Sequence, residues 1–201
     1  MRRVLLITLS LVLALVGWSA VGADDGFYVI PSMRGKYAPV PKTGQTTPSY
    51  TGTDGAWKKG VASPTPRFTD NNNGTVTDNL TGLIWMKNAN AFGTIKWADA
   101  LSAANNLKSG DPGTGLTDGS KAGDWRLPNI RELYSLVDYG RSAPALPADH
   151  QFTGVQVAYY WSSTTFVQST GSSWTVFFNG GGVYPFGKDS IFYVWCVRGG
   201  P

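Results

Sequence analysis

Cys196 is the only cysteine in the chain, so no internal disulfide can hold the fold. Small secreted domains often depend on such bridges; a domain without them must be held by its core. The material for one is present: 8 Trp, 9 Tyr and 9 Phe, with 25 Gly for turns. Cys196 itself lies within the apolar run Ile191 to Val197 and reads as a small buried hydrophobe. Pairing with a second chain is the alternative. Three aromatic-and-turn motifs follow one another in fixed order: Gly123-Asp124-Trp125-Arg126-Leu127-Pro128, Tyr160-Trp161-Ser162-Ser163-Thr164 and Cys196-Val197-Arg198-Gly199-Gly200. None of them is a catalytic constellation.

Residues 1–23 read as a leader for export. Arg2 and Arg3 supply a positive start, Val4 to Val16 is apolar and uncharged, and Val21-Gly22-Ala23 offers small residues for cleavage. That apolar run is shorter than the ~20 residues a spanning helix needs; an uncleaved anchor is the alternative. The expected location is therefore periplasmic, cell-surface or extracellular. Loss of Arg2 and Arg3 leaves 15 basic against 13 acidic side chains, a net +2 in place of +4. With no basic run longer than two residues, a nucleic-acid partner is not expected.

Residues 24–66 are rich in Pro, Gly, Thr and Ser without hydrophobic periodicity, and read as an extended segment of low order. Its stretch Pro41 to Thr46 is placed against the domain that follows, which is expected over 67–201. There, Asn73-Gly74 between two β-prone segments predicts a hairpin, with both residues suited to positive φ. Leu83 to Met86 continues as a strand. Lys96 to Leu107 reads as a helix with Trp97, Leu101, Ala104 and Lys108 near one stripe. A second helix begins at Asn129, with Glu132 three residues on in the spacing of a capping box. Strands are predicted at Tyr159–Thr164, Ser173–Phe178, Gly182–Phe186 and Ile191–Arg198. A hairpin, two helices and a multi-stranded antiparallel sheet make an α+β domain.

Catalytic chemistry finds few residues to work with. His150 is the sole histidine, so a Ser/His/Asp triad or a zinc site has almost nothing to draw on. Glu132 is the sole glutamate and its spacing explains it as a helix cap. Asp124 and Asp138 remain as candidates for acid/base work. An EF-hand loop needs Asp first and Gly sixth; Gly74 would put Thr69 first, so a hairpin turn explains Asp70 to Asp78 without calcium. Asn73-Gly74-Thr75 and Asn79-Leu80-Thr81 are glycosylation sequons, relevant in a eukaryotic secretory host. The expectation is a non-enzyme with no cofactor and no metal.

Arg67 to Asp70, Asn73 to Asp78, Thr81 to Met86 and the three motifs above, taken in order, resemble the Lcl C-terminal domain family, named for a collagen-like bacterial adhesin. The resemblance runs from about Pro41 to Gly200. It implies a C-type-lectin-like fold, distantly similar to that of the formylglycine-generating enzyme, and a role in adhesion through glycosaminoglycan-type glycans. Trp85, Trp125, Trp161 and Trp174 fall within framework motifs and are expected in the core.

The departures from the family are informative. Similar sequences often carry a cysteine near Ala104 as partner to the one matching Cys196, and an arginine where this chain has Trp195. With one cysteine, the oxygen-dependent chemistry of the formylglycine-generating enzyme has no thiolate pair. Relatives often place asparagine runs between Asn179 and Phe192, where this chain has Tyr184 to Phe192 in aromatic and polar mixture. Some lectin-fold proteins resemble products of diversity-generating retroelements, whose C-terminal surface is rewritten on a fixed scaffold. The expected binding residues are therefore Tyr184, Phe186, Lys188, Asp189 and Phe192, facing an extracellular glycan or a cell-surface protein. Tyr184 and Phe186 are alternate residues of one strand, and inward packing is the other reading. A structural subunit of an envelope assembly, oligomeric through residues 24–66 or Cys196, is the remaining alternative.

Overall fold

The computed structural model describes residues 40–199; the expected leader and residues 24–39 lie outside the described residues. In chain order the elements are α1 (Asp54–Trp57), β1 (Phe68–Asp70), β2 (Thr75–Asp78), β3 (Ile84–Met86), β4 (Thr94–Ile95) and α2 (Trp97–Asn106). They continue with α3 (Ile130–Tyr134), β5 (Tyr159–Thr165), β6 (Ser172–Phe177), β7 (Gly182–Gly187), β8 (Phe192–Tyr193) and β9 (Val197–Arg198). After the short α1, the fold is α+β with the expected order of hairpin, two helices (α2 and α3) and sheet, the arrangement of a C-type-lectin-like domain. The strands divide into two sheets, ordered β1-β2-β3-β9 and β4-β8-β5-β6-β7. All pairings are antiparallel except β5 with β8, which run parallel at Tyr160 and Tyr193.

The run Ile191–Arg198, read as one strand, is two. β8 joins the five-stranded sheet and β9 the four-stranded one, and Val194, Trp195 and Cys196 pass between them fully buried. Trp195 causes the break. Its indole Nε1 donates to the Met86 carbonyl at 2.8 Å, and its ring meets Trp85, Phe152, Tyr160 and Phe178 at centroid distances of 5.7, 4.7, 5.6 and 5.6 Å. A side chain anchored at the centre of the core turns the backbone from one sheet to the other. Cys196, beside it, is buried beyond reach of a second chain in this conformation, and burial pushes its thiol well above the ordinary range.

Trp85, Trp125 and Trp161 are in the core, but Trp174 is not: it lies half-buried, edge-on to Phe166 at 5.0 Å. It shares a face of β6 with Val176, which is fully buried, so that face is covered at Val176 and left partly open at Trp174. The β1–β2 hairpin forms, yet positive φ falls on Asn72 and Gly74, not on Asn73. The reason is local: Asn73 Oδ1 accepts from both the backbone N and the Oγ1 of Thr75, at 3.2 and 2.7 Å, which turns the chain without a two-residue I′ turn.

In α2 the buried residues are Ala100 and Ala104, with Trp97 and Leu101 half-buried and Lys108 exposed. Small side chains let the helix approach the sheet closely. The capping box of α3 is complete: Asn129 Oδ1 accepts from Arg131 N and Glu132 N at 2.9 and 3.0 Å, and Asn129 N donates to Glu132 Oε2 at 2.8 Å. Upstream, Lys42 N donates to Val61 O at 3.0 Å and Tyr139 N to Thr43 O at 2.7 Å, so residues 40–43 bond both to their own segment and to the loop after α3.

Candidate aromatic binding face

The three motifs noted in the sequence meet inside the molecule. Arg126 and Val197 exchange backbone hydrogen bonds at 3.0 Å in both directions, and Ser163 N donates to Pro128 O at 2.8 Å. Trp125 Nε1 donates to Ser120 Oγ, which donates to Asp118 Oδ1. Asp118 in turn pairs with Arg198 at 2.9 Å. Arg126 clamps Glu132 with two bonds of 2.6 and 2.7 Å. These polar links hold the framework that β5 to β8 extend.

On one face of the five-stranded sheet, strand alternation gathers aromatic rings. Tyr159 of β5 stands opposite Phe177 of β6 and stacks on it, centroids 4.3 Å apart. Tyr184 and Phe186 of β7 share that face, and Phe192 of β8 closes it. Tyr159 is the hub, 4.8 Å from Phe186, 5.2 Å from Phe192 and 6.1 Å from Tyr184. Phe186 and Phe192 lie 5.0 Å apart, and Phe192 rests on buried Trp161 at 4.8 Å. Phe186 and Phe192 are half-buried against the core, whereas Tyr184 keeps 47% of its surface exposed. The Tyr184 ring lies back over Gly182, where an added Cβ would meet its Cε2 at 2.5 Å. A glycine at 182 therefore sets where the outermost ring rests.

Of the five residues expected from the sequence, the structure brings three together: Tyr184, Phe186 and Phe192. Lys188 and Asp189 sit on the turn between β7 and β8 with other partners. Lys188 Nζ donates to Thr165 Oγ1 at 3.0 Å and stands 4.0 Å over the Trp97 ring. Asp189 is fully exposed and reaches Lys96 at 3.4 Å, a contact that water screens to little value. Sequence reading missed Tyr159 and Phe177; both fall within expected strands, but the register that sets Tyr159 opposite Phe177 is visible only in the structure.

The residues weighed for acid/base chemistry have ordinary structural tasks. Asp124 Oδ2 accepts from Lys121 N at 2.8 Å and Asp138 Oδ1 from Gly140 N at 2.7 Å, each closing a turn. His150 is half-buried beside Phe152, and burial lowers its pKa against the pull of Asp149. Among the described residues no group of three or more His, Cys, Asp or Glu is placed to hold a metal.

No curated protein matches the chain. The Lcl C-terminal domain matches residues 74–198, a span that begins at the hairpin glycine and ends on β9, taking in α2, α3 and the whole aromatic face. With its motifs joined in one core and that span matched, the chain belongs to the Lcl C-terminal domain family.

Proposed function

We propose that this is an exported, non-enzymatic recognition domain whose aromatic sheet face binds an extracellular glycan, in the manner of a surface adhesin. The observation that carries the reading is the five-ring cluster of Tyr159, Phe177, Tyr184, Phe186 and Phe192, with Tyr184 outermost and half-exposed. Packed aromatic rings that remain open to solvent offer a rigid platform on which the apolar face of a sugar stacks at low entropy cost. The face holds no acid or base, which suits binding rather than turnover. Lys188, fixed over Trp97, presents its charge at the margin of the β7–β8 turn, where an acidic group on the glycan would meet it.

The test is a glycan array that includes sulfated polysaccharides, probed with the secreted chain with and without calcium. Saturable binding is expected. Tyr184→Ala should weaken it roughly tenfold or more, as truncating a central aromatic anchor does, while leaving the unfolding temperature nearly unchanged. Gly182→Ala should weaken it as well, by lifting the Tyr184 ring. A blank array from folded protein would overturn the glycan reading and turn the search to a protein ligand.

A further inference from the structure

Away from the sheet face, a cleft of about 390 Å³ opens between residues 40–43 and α3 with the loop that follows it. Its walls are apolar: Val40 and Pro41 on one side, Val137 and the rings of Tyr134 and Tyr139 on the other. The two rings meet edge to face at 6.1 Å, and their hydroxyls are hydrogen-bonded to each other. The remaining wall hydroxyls are also engaged, Thr43 Oγ1 with Asp54 and Ser135 Oγ with the Glu132 carbonyl.

That leaves two polar groups free to meet an occupant, Lys42 and Arg131. Both line the cleft, both are exposed, and neither has an ion-pair partner among the described residues. No Asp or Glu lines the cleft. Burial, with the Tyr139 hydroxyl, pushes the Tyr134 phenol up to about 12, so that phenol adds no negative charge at neutral pH. An apolar slot of ligand size with a few convergent polar groups is the usual form of a small-molecule site. Here those groups carry one sign of charge only.

We propose that this cleft is a second binding site, for a small aromatic carboxylate. The ring lies against Tyr134, Tyr139 and Val137, and the carboxylate sits between Lys42 and Arg131. A neutral ring leaves both cations without a counter-charge, and an aliphatic acid forgoes the edge-to-face contact with the tyrosines.

The probe is phenylacetate, with phenylacetamide as the neutral isostere, titrated into the chain while NMR follows the ring resonances of Tyr134 and Tyr139. Saturable binding in the low millimolar range is expected for a ligand this small, with shifts concentrated on those two rings. The double variant Lys42→Gln, Arg131→Gln changes exposed residues only and should bind phenylacetate roughly fivefold more weakly, while Tyr184→Ala should leave it unaffected. The proposal is overturned if the amide binds as well as the acid. Shifts that appear elsewhere, an unchanged affinity in the double variant, or no saturation would each do the same. None of these outcomes bears on the aromatic sheet face.

Discussion

At Gly74 the backbone takes φ +82°, and an added Cβ would lie 2.3 Å from the Gly115 carbonyl oxygen. Two costs coincide there, a left-handed conformation that side chains resist and a neighbouring backbone that cannot swing aside. Gly74→Ala is expected to lower stability by about 2 kcal/mol or more, seen as a lower urea midpoint at an unchanged slope. Gly182 makes the contrast. Its φ is ordinary, and the atoms an added Cβ would meet are the far end of the Tyr184 ring, which can move. Gly182→Ala should therefore cost binding and spare the fold. The two glycines look alike in the sequence; only their neighbours separate a structural role from a positioning one.

Among the elements, the β1–β2 hairpin is tied to α3 by charge. Arg67 reaches Asp78 at 3.3 and 3.4 Å and donates to the Ser135 carbonyl at 2.5 Å, at the C-terminal cap of α3. Asp78 also accepts from Leu80 N and Thr81 Oγ1, both at 3.0 Å. Both charged side chains are almost wholly buried. Removing one partner strands the other without water, so Asp78→Ala is expected to destabilise by about 3–5 kcal/mol, measured by thermal unfolding, with the Arg67→Met, Asp78→Leu pair recovering part of the loss. The elements themselves were largely legible: the hairpin from its turn residues, α3 from its capping box, β5 to β7 from alternation. What escaped was pairing across long separations. Nothing local to Ile191–Arg198 says that its two ends belong to different sheets; that follows from where Trp195 finds room. Trp174 misled because alternation assigns a residue to a face of the sheet but does not say how far along that face the core reaches: Val176, on the same face, is fully buried. For the aromatic face, three of its five rings were readable from one strand and its neighbour. Tyr159 and Phe177 came from strands whose register the sequence does not print.

For the molecule as a whole, acid should loosen the framework. Burial opposes the charge of Glu132, but the hydrogen bonds from Arg126 and Asn129 N more than offset it and hold its carboxyl below the ordinary 4.5. Asp70 is held low in the same direction, first by its bond to Lys87. A carboxyl depressed in the fold stabilises it above its unfolded value and loses that contribution as pH falls through the folded one. Unfolding temperatures should therefore be steady near neutrality and drop below about pH 4.5, and Glu132→Gln should flatten that drop while lowering stability at pH 7. The split path of the last strands has a further consequence, in time rather than space. β3 pairs with β9, Ile84 facing Arg198, and β4 pairs with β8, so each sheet holds an early strand that gains this partner only once residues 192–198 are made. During synthesis β3 and β4 wait with open hydrogen-bonding edges, exposed to wrong partners. Long-range closure of this kind makes folding slow. These edges thus stay open until residues 192–198 are made, and losing those residues would bare β3 in one sheet and cut β4 from β5 in the other.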